Sequence, residues 1–156
     1  VMGSIPISGT ISKVLLMKYK KELSFLTKIG CKELPHSDRT LYDHLYGTAE
    51  ILIENNRPDY EVKGGLFHSI YGTERYKKSE KLNITRENIK ELLGDTSEQI
   101  VYIFCNLEER CRKITQGEEI EDQYIESLRW IEYANLFEQN KYNPVLIPLR
   151  IRLGIF

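Results

Sequence analysis

The chain has 156 residues, 41% hydrophobic and 29% charged, and a formal net charge of −1. That is one ordinary domain with room for a real core, and so balanced a charge excludes a global basic field for nucleic acid or anionic lipid. No apolar run approaches the length of a membrane span, and the three cysteines, Cys31, Cys105 and Cys111, lack the spacing of a disulfide scaffold or a thiolate zinc site. The expected setting is cytoplasmic and reducing, with no secretory leader, no membrane contact and no nucleic-acid partner.

In chain order the pattern is helical nearly throughout. Val14, Leu15, Tyr19, Leu23 and Leu26 are spaced for one face of a helix from Ser12 to Ile29, stopped by Gly30. A polar elbow from Glu33 to Arg39 follows, and Thr40-Leu41-Tyr42-Asp43 has the spacing of a capping box opening a helix to about Glu54. Asn55-Asn56-Arg57-Pro58 breaks it, and Tyr60 to about Tyr71 predicts a short helix whose Gly64 and Gly65 imply a close neighbour. Gly72 to Asn83 reads as a lysine-rich loop, and Thr85 to Leu93 as a short helix ended by Gly94.

Thr96-Ser97-Glu98-Gln99 suits a second capping box, opening a long helix with Ile100, Ile103, Phe104, Leu107 and Cys111 on one stripe. After Gln116-Gly117, Ile120, Tyr124, Leu128 and Ile131 mark a helix from Glu118 to Gln139. Leu149, Ile151, Leu153 and Ile155 alternate with Arg150 and Arg152, which predicts a short extended C-terminal segment. Such a segment should pack on the bundle or pair with a second copy as a homodimer. The expected architecture is one all-α domain over residues 5–156, a bundle of about six helices.

The three histidines, His36, His44 and His68, all lie between the elbow and the third predicted helix, with Arg39, Asp43, Ser69 and Glu74. Imidazole is the usual neutral nitrogen ligand and general base, so the cluster is a candidate metal or acid–base site. A lone inward histidine is also commonly a hydrogen-bonded core residue, and Asp43 can be a cap alone. His44 shares the face of Leu41, Thr48 and Ile51 and should look into the bundle. Asn135 follows Tyr124, Leu128 and Ile131 in steps of four, three and four, and Glu138 continues the line. A buried amide there needs a polar partner, structural or functional. Glu74, Arg75, Lys77, Lys78 and Lys81 crowd the next loop, either as phosphate contacts or as solvated charge.

These residues carry a resemblance. Leu41-Tyr42-Asp43-His44-Leu45-Tyr46-Gly47-Thr48-Ala49-Glu50-Ile51-Leu52 resembles the first-histidine helix of the HD-domain superfamily. Gly65-Leu66-Phe67-His68-Ser69-Ile70 is similar to its second motif, with Ser69 where the superfamily has Asp, and Ile131-Glu132-Tyr133-Ala134-Asn135-Leu136 is similar to its late helix, with Asn135 at the last Asp. The resemblance spans residues 36 to 139. It implies an HD-like bundle and a metal-dependent enzyme, hydrolysing a phosphate ester or nucleotide at a His-rich site. Without the two carboxylates, it implies one divalent ion (Zn, Mn or Fe) held by His36, His44 and His68. Glu74 would be the base, Asn135 would orient substrate or ligand, and Arg39, Ser69, Tyr71 and Arg75 would meet a small-molecule substrate. The alternatives are an HD-type iron oxygenase and a ligand-binding or interaction module that has lost the metal.

Overall fold

The computed structural model describes residues 9–72 and 84–155. Among the described residues nine α-helices are arranged as an all-α bundle with one two-stranded ribbon. The first predicted helix is divided: α1 (Gly9–Leu16) and α2 (Lys20–Lys28) are joined by a 3-10 turn at Met17–Tyr19. Tyr19 departs from helical geometry there (φ −97°, ψ 31°) and its hydroxyl donates to Asp59 at 2.8 Å. The division turns Val14, expected inside, 61% exposed to solvent, while Leu16, Tyr19 and Leu26 are buried.

The polar elbow is a small hairpin, β1 (Pro35–His36) and β2 (Arg39–Thr40), paired antiparallel with His36 opposite Arg39. Its second strand leads into α3 (Leu41–Glu54), whose cap is the expected one: Thr40 Oγ1 accepts the Asp43 amide at 3.1 Å. Next come α4 (Asp59–Phe67), α5 (Arg86–Leu93), α6 (Asp95–Asn106), α7 (Arg110–Gln116), α8 (Asp122–Gln139) and α9 (Leu146–Leu153). α3 lies against α4 and α8, α4 against α6, and α9 against α8. Leu41, Leu45, Ala49 and Leu52 from α3 meet Leu66, Phe67, Ile100, Phe104, Leu128, Ile131 and Ala134 in a wholly buried core. The paired glycines of α4 allow that approach. A Cβ on Gly64 would stand 2.9 Å from Ile131 Cδ1, and one on Gly65 2.5 Å from Leu52 Cδ1, so both positions need the missing side chain.

Three expectations are corrected. The Thr96–Gln99 box does not open a helix: Gly94, at φ 89°, ends α5 and starts α6 directly, so the box falls within the first turns of α6. That helix then stops at Asn106, and Glu109 in the left-handed region opens α7 separately, so Leu107 and Cys111 do not extend one stripe. The C-terminal alternation is not extended chain but α9, capped at its end by Gly154 at φ 71°. Over so short a run Leu and Ile satisfy both periods. The helical period wins because it buries Leu146 and Leu149 against the bundle and turns Ile147 and Ile151 outward.

That difference is measurable. A strand would make Leu149 and Ile151 equivalent, whereas here Leu149 is fully buried and Ile151 64% exposed. Leu149→Ala should cost about 2–5 kcal/mol in urea unfolding, and Ile151→Ala within roughly 0.5 kcal/mol. Equal costs at the two positions would contradict the helical register.

Candidate functional site

Helices α3 and α8 and the residue that caps the end of α4 each deliver one polar side chain to the same buried point. His44 and His68 are 0% and 1% exposed and Asn135 is 4% exposed. The two imidazole Nε2 atoms stand 3.1 Å apart, and Asn135 Oδ1 lies 2.9 Å from that of His44 and 3.1 Å from that of His68. The sequence-derived pair of histidines and the amide on the α8 stripe therefore meet.

The partners on the far side of each group fix its proton. His44 Nδ1 is 2.5 Å from Glu138 Oε1 and must carry the hydrogen that the carboxylate accepts. His68 Nδ1 lies 2.7 Å from the Gly65 carbonyl oxygen, so it too is the protonated nitrogen. Asn135 Nδ2 donates to Glu132 Oε1 at 2.9 Å, which turns the amide oxygen toward the histidines. With neutral rings, three acceptor atoms face one another at about 3 Å, and the donor to Asn135 Oδ1 is Gln139 Nε2, at 3.3 Å, rather than either ring. Burial, then the nearness of His44, holds His68 well below the ordinary imidazole pKa and keeps it neutral.

Two arginine–carboxylate pairs brace this set. Arg39 grips Glu138 with both terminal nitrogens, Nη2 to Oε1 at 2.5 Å and Nη1 to Oε2. Arg110 Nε donates to Glu132 Oε2 at 3.0 Å, and its guanidinium lies over the Phe104 ring, which meets His68 edge-on. Burial raises the Glu138 carboxyl, but the His44 and Arg39 hydrogen bonds outweigh it and leave the group below its ordinary pKa. Gly47 makes room for this carboxylate: a Cβ there would fall 2.9 Å from Glu138 Cγ and Oε2.

His36 occupies a different place from the donor set. Its ring stacks on His44, with centroids 4.4 Å apart and 24° between planes. Ser69 is buried in the turn that closes α4, where the Gly72 amide donates to its carbonyl oxygen. Tyr71 joins another network, donating to Glu98 Oε1 at 2.9 Å while Arg86 grips both oxygens of the same carboxylate at 2.6 and 2.8 Å. Asp43 is exposed and its amide serves the cap. Glu74 and Arg75, with Lys77, Lys78 and Lys81, lie outside the described residues. Arg110 carries no signal of this role in the sequence pattern. The signal for Glu132 is its position three residues before Asn135, where i,i+3 spacing puts both on one face of α8.

Among the described residues no three histidine, cysteine, aspartate or glutamate side chains form a metal-binding group. The convergent set is two imidazoles and an amide oxygen, with both carboxylates one bond further out. Its separations do suit one ion, because donors bound cis at roughly 2.1 Å stand about 3 Å apart. Each donor is also oriented by an outer partner, which is the pattern of ligating histidines.

Two outcomes follow. Gly47→Ala should displace Glu138 and destabilise the fold by about 1–3 kcal/mol in urea unfolding; unchanged stability would mean the carboxylate is not held where described. Away from the histidines, burial raises the Glu98 carboxyl but Arg86 and Tyr71 more than reverse this, so its folded pKa lies below its unfolded one. The stability it contributes is present above the unfolded carboxylate range and fades as pH falls through the folded pKa. Glu98→Gln should accordingly flatten the acid limb of a stability–pH curve, and an unaltered limb would contradict the assignment.

A family model described as a domain of unknown function (DUF6817) matches residues 25–109, more than half of the chain. The match takes in the hairpin, His44 and His68 and ends before α8. Searches of curated proteins and of solved structures find no match. The chain belongs to the DUF6817 family.

Proposed function

We propose that this chain is an HD-like, metal-dependent hydrolase of a phosphate ester or nucleotide, with its centre at His44, His68 and Asn135. One observation carries the reading: three buried acceptors converge at 2.9–3.1 Å, each aimed by a partner behind it. Facing lone pairs repel, and a cation between them removes the repulsion. The donors fit one divalent ion such as Zn, Mn or Fe, which would supply Lewis acidity and a nucleophilic water near neutral pH.

The chain's own residues would do the rest. Glu138 keeps the Nδ1 proton on His44, and the Gly65 carbonyl does the same for His68, so both rings offer neutral Nε2 atoms. Glu132 holds the amide oxygen of Asn135 inward. Arg39, with its side chain 36% exposed, is the cation at the margin of the centre and suits an anionic substrate group. Glu74 as base and Arg75 as phosphate contact complete the reading from the resemblance.

Metal analysis of tag-free protein should find about one equivalent of divalent metal. Asn135→Asp, which adds an anionic ligand, should tighten binding by about tenfold or more. Asn135→Leu should abolish both metal binding and phosphate release from a nucleotide panel while the fold survives. A folded protein that binds no divalent metal would sink the proposal.

A second reading is favoured by the burial of all three side chains. A proton on His44 Nε2, neutralised by Glu138, would also reconcile the acceptors and make the centre part of a metal-free interaction module. Thermal stability indifferent to chelators, together with metal-free protein, would select it.

A further inference from the structure

We propose that the Pro35–Thr40 hairpin is a hinged cover over the histidine pair, and that the Arg39–Glu138 ion pair is its latch. The argument starts from register. His36 and Arg39 are directly opposed in the antiparallel ribbon, so their side chains leave from one face. Both point at the centre: His36 lays its ring on His44, and Arg39 takes both oxygens of the carboxylate that holds His44 Nδ1. Pro35 and Ser37 are exposed, and Asp38 at the tip has a side chain 92% exposed.

The ribbon has little stability of its own. Each strand is two residues long, and its turn carries Ser37 at φ 58°, whereas isolated two-stranded hairpins are marginal even at greater length. Its base is tied by the Leu41 amide, which donates to the Leu34 carbonyl oxygen at 2.8 Å. Beyond that tie, the Arg39 fork and the His36 stack hold the ribbon's inner face on the centre. Releasing the Arg39 fork loosens the ribbon from Pro35 to Arg39, while Thr40 stays as the cap of α3 and Leu41 and Leu45 keep its core face, so the hinge lies at Thr40. The resulting opening uncovers His44 first, since His36 lies directly on its ring. What enters rests on the metal-dependent reading above, but the opening itself does not.

The test is histidine modification by diethyl pyrocarbonate on tag-free protein in chelator, with labelled residues located by peptide mass spectrometry. In the wild type, His44 should be labelled more slowly than His36 yet faster than global unfolding permits. Arg39→Gln should raise the His44 rate by about tenfold or more, with the folded fraction unchanged by circular dichroism. Arg39→Lys keeps the charge without the fork, should fall between, and decides the matter if the glutamine variant does not fold. His44 labelled only through global unfolding, or at one rate in all three proteins, would overturn the latch. Because chelator is present throughout, the absence of a bound metal would defeat the hydrolase reading and leave this result standing.

Discussion

One carboxylate ties the polar interior to the surface. Glu138 on α8 accepts from His44 on α3 and from Arg39 on the hairpin, joining three elements through two oxygens. Burying a charge is tolerable only when it is paired and hydrogen-bonded, and Arg39 supplies the pairing. The space for it is cut into α3 by Gly47. If Glu138 moves, His44 loses the partner that sets its tautomer, Arg39 loses its anchor, and the hairpin loses its seat.

The second carboxylate repeats the arrangement from the other side. Glu132 lies between Arg110 and Asn135 as Glu138 lies between Arg39 and His44. Each outer pair is close to neutral, so the three inner acceptors face one another without a formal charge among them. Acceptors this close repel through their lone pairs, and no anion or cation of the centre itself offsets that. With an amide at position 135, the formal charges lie in the two outer arginine–carboxylate pairs.

Much of this was legible in the sequence, and for identifiable reasons. His44 and Asn135 lie on apolar stripes of long helices, where a 3.6-residue period fixes which side chains look inward. Thr40 announced the start of α3 through its cap, and the paired glycines announced a close approach at α4. What was illegible depended on tertiary contact. The hairpin has strands too short for any period, and α9 has a pattern that serves two periods equally. Glu132 and Arg110 look like ordinary charged helix residues until α8 is laid beside α4 and α7, and Glu138, though on the inward line of α8, shows its partners only then.

The separation of these partners along the chain has its own consequence for how the molecule forms. α3 and α4 are neighbours in sequence and can pair early, at small cost in loop closure. His44 reaches Glu138 only across 94 positions, and Asn135 only across 91. The polar centre is therefore incomplete until α8 docks against α3 and α4. Until that docking, burying His44 and His68 carries a desolvation cost with no compensating bond from α8, so the α3–α4 pair should remain loosely packed and polar inside. The centre is in this sense a record of complete folding, present only once the whole bundle is.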